Sequence, residues 1–261
     1  MSEPKVLFED HGEIAVIKLN RPEKRNALDP ETVLLFNDLS EKAKDKKYKS
    51  VVIGGNGGAF CAGADLSPSD RESMGWKSVE EALNEGYHIG LNNLIQMDKA
   101  VIAAVEGPCA GIGCAYLLSS DIVVMSKSAF MQVGFSRIGL IPDGGTNWLL
   151  PRVVGYQNAF RIAAEAKRVM SDECKSLGLC SEVCEDGATL DKAMELAKHY
   201  ADLAPNSVMN TKRLMREGFD KSYFDNLKDE ASTQENLVGS KDNIEGVTAF
   251  MEKRKPNFTG E

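Results

Sequence analysis

The chain has 261 residues, 43% hydrophobic and 27% charged, enough for one large core or a core with a smaller helical module. A formal net charge of −8 argues against a general nucleic-acid or anionic-membrane surface, and no apolar run is long enough to span a bilayer. Six cysteines and three histidines form no C-x-x-C pair and no zinc spacing, so no metal site is expected and the cysteines read as buried, inert hydrophobes. The first residues lack an apolar signal core and the last three are not a peroxisomal tripeptide, so a cytoplasmic protein is expected.

Residues 5–9 and 14–19 predict two strands joined by a hairpin at Asp10-His11-Gly12-Glu13. A polar loop spans 20–28. Asp29-Pro30-Glu31 then reads as N-cap and first turn of a helix whose apolar stripe is Val33, Leu34, Phe36, Leu39 and Ala43. A short buried strand is expected over 50–54. Residues 67–86, with Pro68, Gly75 and Gly86, read as irregular and as a candidate mobile lid. A helix over 91–97, a strand over 100–105, a small-residue helix starting near Gly111 and a strand over 121–125 follow. Strands alternating with helices predict an α/β fold with crossover connections. Beyond Val154 the pattern turns helical, over 158–166, 171–177, 190–203, 207–217, 223–238 and 243–253. There is no internal repeat, and the change near residue 190 divides the chain into a 1–190 core and a 191–261 helical module.

Three glycine-bearing segments carry the chemistry. In Ala62-Gly63-Ala64-Asp65 and Ala110-Gly111-Ile112-Gly113, a buried segment ends in glycine, which lets backbone approach a ligand and leaves N–H groups free. Two such turns facing each other can hold an anionic oxygen; the same glycines would also serve close helix–strand packing. Asp143, between Pro142 and Gly144-Gly145, fits three roles: a turn residue, the N-cap of the helix carrying Trp148, or a tuned catalytic acid/base.

These motifs, in order and spacing, resemble the crotonase, or enoyl-CoA hydratase/isomerase, superfamily over nearly the whole chain. The resemblance runs from Asn20-Arg21-Pro22 and Asn26-Ala27-Leu28, through residues 59–66 and 106–113, to Phe135-Ser136-Arg137-Ile138-Gly139-Leu140-Ile141-Pro142-Asp143-Gly144-Gly145 and the closing stretch 245–258. It implies repeated ββα units with a C-terminal helical module for oligomerisation, assembled as a trimer or dimer of trimers. It also implies an acyl-CoA thioester substrate, with CoA as part of the substrate and no separate cofactor. By the same resemblance, the backbone N–H groups of Ala64 and Ile112 form the oxyanion hole. Lys24, Arg25, Ala27, Ala62, Asp65 and Leu66 border CoA, with Lys253 reaching a phosphate from a neighbouring subunit. Asp65 is further expected to cap a helix after the oxyanion turn, and Glu106 and Asp121 to be structural.

The departures are informative. Hydratases of this family use two glutamates; the matching positions here are Ala115 and Phe135. Isomerases place a carboxylate after the proline, where Asp143 stands. The pattern is most similar to the phenylacetate-degradation ring isomerase branch, which isomerises ring-epoxidised phenylacetyl-CoA and shifts 3-enoyl-CoA to 2-enoyl-CoA. The resulting expectation is an isomerase in which Asp143 shuttles a proton, its pKa raised by Ile141, Trp148 and Phe135. The alternatives are a hydratase of unconventional mechanism, an aryl-CoA dehalogenase using Asp143 as nucleophile, and a CoA-ester-binding protein without turnover. Trp76, Tyr87 and His88 fall where the acyl pocket would lie and carry no assigned role.

Overall fold

The computed structural model describes residues 3–67 and 75–261. Its main sheet has six strands in the order β1-β2-β3-β4-β6-β9: β1 (Val6–His11), β2 (Ile14–Leu19), β3 (Ser50–Gly55), β4 (Ala100–Val105), β6 (Ile122–Ser126) and β9 (Glu182–Cys184). The hairpin β1–β2 is antiparallel and every later pairing in this sheet is parallel. Parallel strands are covered on both faces, which explains the uninterrupted apolar run of β4. Alternate residues divide between two cores. Ala15, Ile17, Val51, Ile53, Val101, Ala103 and Met125 join the larger one. Val16, Val52, Ile102, Ala104 and Val124 join the smaller, with Ala193 and Ala197 of the C-terminal half.

A second sheet, β5 (Pro108–Ala110), β7 (Phe130–Gln132) and β8 (Val169–Met170), stands beside the first. Isolated bridges Cys61–Cys109 and Leu28–Ala64 continue it towards the candidate site. These strands and β9 have two or three residues each, too short for periodicity to register, and the sequence reading missed all four.

Helix α1 (Pro30–Lys42) starts as expected, with the Asp29 carboxylate accepting from Thr32 N at 2.9 Å. The irregular reading of residues 67–86 is corrected over its second half. Residues 68–74 lie outside the described residues, but α2 (Val79–Ala82), a π-helical turn (Leu83–Tyr87) and α3 (His88–Gln96) form a continuous helical run. Ser78 caps it, accepting from Glu81 N, so Ser78-x-x-Glu81 was the readable start signal. Helix α4 (Gly113–Ser119) leaves the Gly111 turn; α5 (Thr146–Val154), α6 (Tyr156–Glu165) and α7 (Ser171–Ser176) follow.

Helix α8 (Thr189–Ala201) covers the second sheet face, and Glu106 holds its start by accepting from Gly187 N and Thr189 Oγ1. The expected 191–261 module therefore shares the core of the 1–190 unit through its first helix. Beyond it come α9 (Pro205–Gly218), α10 (Tyr223–Leu237) and α11 (Lys241–Glu252). Asp121 anchors α9 by pairing with Lys212 and Arg216, each at 2.8 Å. No residue of α9 or α10 is buried, and Phe224, Val247, Phe250 and Met251 are all exposed. Among the described residues no helix is long and apolar enough to cross a membrane. All six cysteines are free and five are buried; burial pushes Cys61 and Cys174 up to about 12.

Candidate active site

Two backbone turns meet at glycines. Gly63 (φ 96°) and Gly111 (φ 55°) both occupy left-handed conformations. They lie against each other: a Cβ on Gly63 would sit 3.0 Å from Ala110 O and 3.4 Å from Gly111 Cα. Ladder bonds fix the register, with Ala110 N donating to Cys61 O at 2.8 Å and Gly111 N to Gln132 O at 3.0 Å. The N–H groups of Ala64 and Ile112, one residue beyond each glycine, donate to no protein group among the described residues. Leu28 N donates to Gly63 O and Asp65 N to Leu28 O, so the pairing steps over the Ala64 N–H and leaves it for a ligand.

Asp143 stands beside them. Gly144, with φ 59°, packs on the start of α4: a Cβ there would come within 2.7 Å of Ala115 Cβ, 3.0 Å of Leu91 Cδ1 and 3.1 Å of Ile112 Cγ1. That contact places the Asp143 turn against the residue bearing the second free N–H. The carboxylate is half-buried, its Oδ1 has no hydrogen-bond partner, and burial raises its pKa to about 6. The N-cap reading is excluded, because α5 is capped at Gly145 with no side-chain bond.

The three residues expected to raise the Asp143 pKa stand in different surroundings. Ile141 is 77% exposed. Trp148 stacks on Arg152, 3.6 Å from ring centre to guanidinium, and meets Phe219 edge-on. Both rings line a cavity of about 720 Å³ between α5 and α9 that Asp143, Ala64 and Ile112 do not border. Phe135 is buried. The Asp143 turn packs on Leu91, Ile112 and Ala115 through Gly144.

The 20–28 loop is joined to the oxyanion turn. Ala62 N donates to Arg25 O at 3.0 Å, bringing Lys24, Arg25 and Ala27 next to Ala62, Ala64, Asp65 and Leu66. Lys24, Arg25 and Leu66 are exposed; Ala27 is buried. Asn26 holds the loop from inside, donating to Asn56 O and Ala59 O and accepting from Arg21 N. Arg21, which the sequence reading gave no role, is buried between two carboxylates, at 3.0 Å from Asp65 and 3.3 Å from Asp29. Asp65 is thus part of an internal ion network. Its Oδ1 accepts from Ser67 N, and the helix that Asp65 was expected to cap falls on residues outside the described ones. Lys253 lies apart, in a left-handed turn after α11, and forms no ion pair among the described residues. Its neighbours Arg254 and Lys255 are taken by Glu245 and Asp202.

Two backbone donors without a protein partner, with a carboxylate of raised pKa on the turn packed against one of them, form an arrangement that can hold an anionic oxygen and move a proton near it. Comparison with known sequences agrees. The profile of the Enoyl-CoA hydratase/isomerase family matches residues 9–261, and the chain belongs to that family, whose crotonase fold it shares. It is similar to the 1,2-epoxyphenylacetyl-CoA isomerase of Escherichia coli K12, 32% identical over 250 residues and 95% of each chain. It is also similar to the 2,3-dehydroadipyl-CoA hydratase of the same organism, 31% identical over 248 residues and 95% of each chain. Among solved structures, the enoyl-CoA hydratase from Polaromonas sp. JS666 superposes with a TM-score of 0.92 at 30% identity, covering 97% of this chain and 99% of that one. Members of the family are hydratases and isomerases of acyl-CoA thioesters.

Proposed function

We propose that the protein is an acyl-CoA isomerase that shifts a double bond from 3-enoyl-CoA to 2-enoyl-CoA, or isomerises a ring-epoxidised phenylacetyl-CoA. The observation that carries this reading is the Asp143 carboxylate, of raised pKa, on the turn that packs against Ile112 beside the unpaired Ala64 and Ile112 N–H groups, with Ala115 and Phe135 at the positions that match the glutamates of hydratases. The two N–H groups hold the thioester oxygen as it gains charge; they are already oriented, so little reorganisation accompanies the transition state. Asp143 takes the α-proton, leaving a dienolate, and returns that proton to the γ-carbon. One carboxylate serves both steps because no water is consumed. A pKa near 6 keeps it ionised at neutral pH yet basic enough to abstract a proton.

CoA enters as part of the substrate, bordered by Lys24, Arg25, Ala27, Ala62, Asp65 and Leu66, and no separate cofactor takes part. Buried Asp65 contributes by ordering this border through Arg21. The exposed apolar residues of α10 and α11 support a homotrimer or dimer of trimers in which Lys253 reaches a neighbouring CoA phosphate. The test is turnover of a 3-enoyl-CoA beside hydration of a 2-enoyl-CoA. Isomerisation without hydration is expected; hydration alone would overturn the single-carboxylate mechanism, and silence in both assays would favour a binding role.

A further inference from the structure

The helical run from Val79 to Gln96 crosses the site with one face, and that face carries a polar group with too little to bond. Tyr87 and Leu91 are one turn apart. Leu91 packs where a Cβ on Gly144 would be, next to Asp143. Tyr87 Oη points to Leu28 O, and Leu28 is the bridge partner of Ala64. The phenol is therefore placed between the first oxyanion donor and the catalytic turn.

The backbone is specialised to put it there. The turn Leu83–Tyr87 is π-helical, with His88 N reaching back to Leu83 O, and such turns recur at functional sites. Asn37 Nδ2 holds the Gly86 carbonyl at 3.0 Å, and Gly86 lies so close under Trp76 that a Cβ would come within 2.6 Å of the indole. Tyr87 is buried, yet its hydroxyl bond to Leu28 O is 3.4 Å, longer than the roughly 2.5–3.0 Å of an ordinary O–H···O bond. Asp143 Oδ1 is buried with no partner at all. Burial above all, with the Asp143 charge among the smaller causes, holds the phenol well above its usual pKa, so it remains an O–H donor. Two under-bonded polar groups, near enough that the Asp143 charge acts on the Tyr87 phenol, call for a polar atom beside them.

We infer that the Tyr87 hydroxyl is a specificity-determining donor to an oxygen atom carried by the acyl group beside its reacting carbons, so that the site favours oxygenated acyl-CoA thioesters over plain hydrocarbon ones. This rests on the reading of Asp143, Ala64 and Ile112 as the thioester site. The hydroxyl leaves its long bond to Leu28 O for a shorter one to the ligand, and the discrimination arises because a hydrocarbon ligand leaves the buried donor poorly bonded.

Calorimetric binding of three unreactive thioesters to the full chain tests it: phenylacetyl-CoA, 2-hydroxyphenylacetyl-CoA and 2-fluorophenylacetyl-CoA. The unaltered protein is expected to bind the hydroxyl ester about tenfold more tightly than the other two. Tyr87→Phe is expected to bind all three alike, at the unaltered protein's affinity for phenylacetyl-CoA. Equal binding of the three by the unaltered protein overturns the inference even if the variant fails to fold, as does a preference that survives in Tyr87→Phe. If no thioester binds the unaltered protein, the reading of the site itself fails, a result distinct from equal binding.

Discussion

Gly144 and Ala115 are in contact across the site, closely enough that a Cβ on Gly144 would fall 2.7 Å from that of Ala115. The turn that carries Asp143 lies directly against the side chain of residue 115. Ala115→Glu is expected to displace Gly144, destabilise the protein by about 2 kcal/mol, and lower isomerase turnover without producing hydration. Denaturant midpoints together with both activity assays check this; hydration gained with stability intact would overturn it.

Asp143→Asn removes the proton acceptor while keeping shape. Turnover is expected to fall by roughly 10²–10⁴-fold, the range for loss of a general base, with thioester affinity nearly unchanged. In the unaltered enzyme the base must be ionised, so kcat/KM should rise with pH through about 6 and level off above it. A rate profile from pH 4.5 to 8 that is flat across this range would remove Asp143 from the role.

The same raised pKa bears on stability. An acid whose folded pKa lies above its unfolded value of 3.8 favours the native state while protonated, fully so below the unfolded pKa, and loses that contribution as pH rises through about 6. Asp143→Asn should therefore be more stable than the parent at pH 7.5, by up to roughly 3 kcal/mol, and equal to it below about pH 4. Melting curves at the two pH values decide the matter.

The two oxyanion glycines should not tolerate substitution equally. At Gly63 a Cβ would press on Ala110 O at 3.0 Å, whereas at Gly111 the nearest atom is Gly63 Cα at 3.5 Å. Gly63→Ala is expected to shift the Ala64 N–H and cut kcat by about 10²-fold or more. Gly111→Ala should mainly cost the left-handed strain of about 1–2 kcal/mol. Steady-state kinetics of the pair, with melting temperatures, separates geometric damage from strain.

Arg21 joins Asp29 and Asp65, all three buried, and its Nη1 also donates to Ala27 O at 2.5 Å. Arg21→Met should destabilise the protein by about 3–5 kcal/mol, because the buried carboxylates of Asp29 and Asp65 would both lose the Arg21 guanidinium. Since that pair orders the 20–28 loop against the oxyanion turn, KM for a CoA thioester should rise as well. Urea unfolding and a KM measurement test the two effects independently.

The strands β2, β3 and β4 and the cap at Asp29 were legible because apolar run length and N-cap chemistry are local. So were the glycine turns at 63 and 111 and the lone carboxylate after Pro142, since left-handed turns demand glycine. The four short strands were not legible, because two or three residues carry no period and pair only when distant segments bring them together. The helical run before Tyr87 was hidden by its polar composition, although Ser78 and Glu81 marked its start.

By itself, then, the sequence determined the α/β class through local pattern, and its motifs, through their resemblance to the enoyl-CoA hydratase/isomerase family, named Ala64, Ile112 and Asp143 as the candidate site. Only the tertiary structure decided what surrounds that carboxylate. It put Trp148 with Arg152 and Phe219, packed the Asp143 turn against Leu91, Ile112 and Ala115, drew Asp65 into the Arg21 network, and aimed Tyr87 at Leu28. The reason is physical: which side chains share a buried space depends on how helices and sheets pack, and spacing along the chain does not record that.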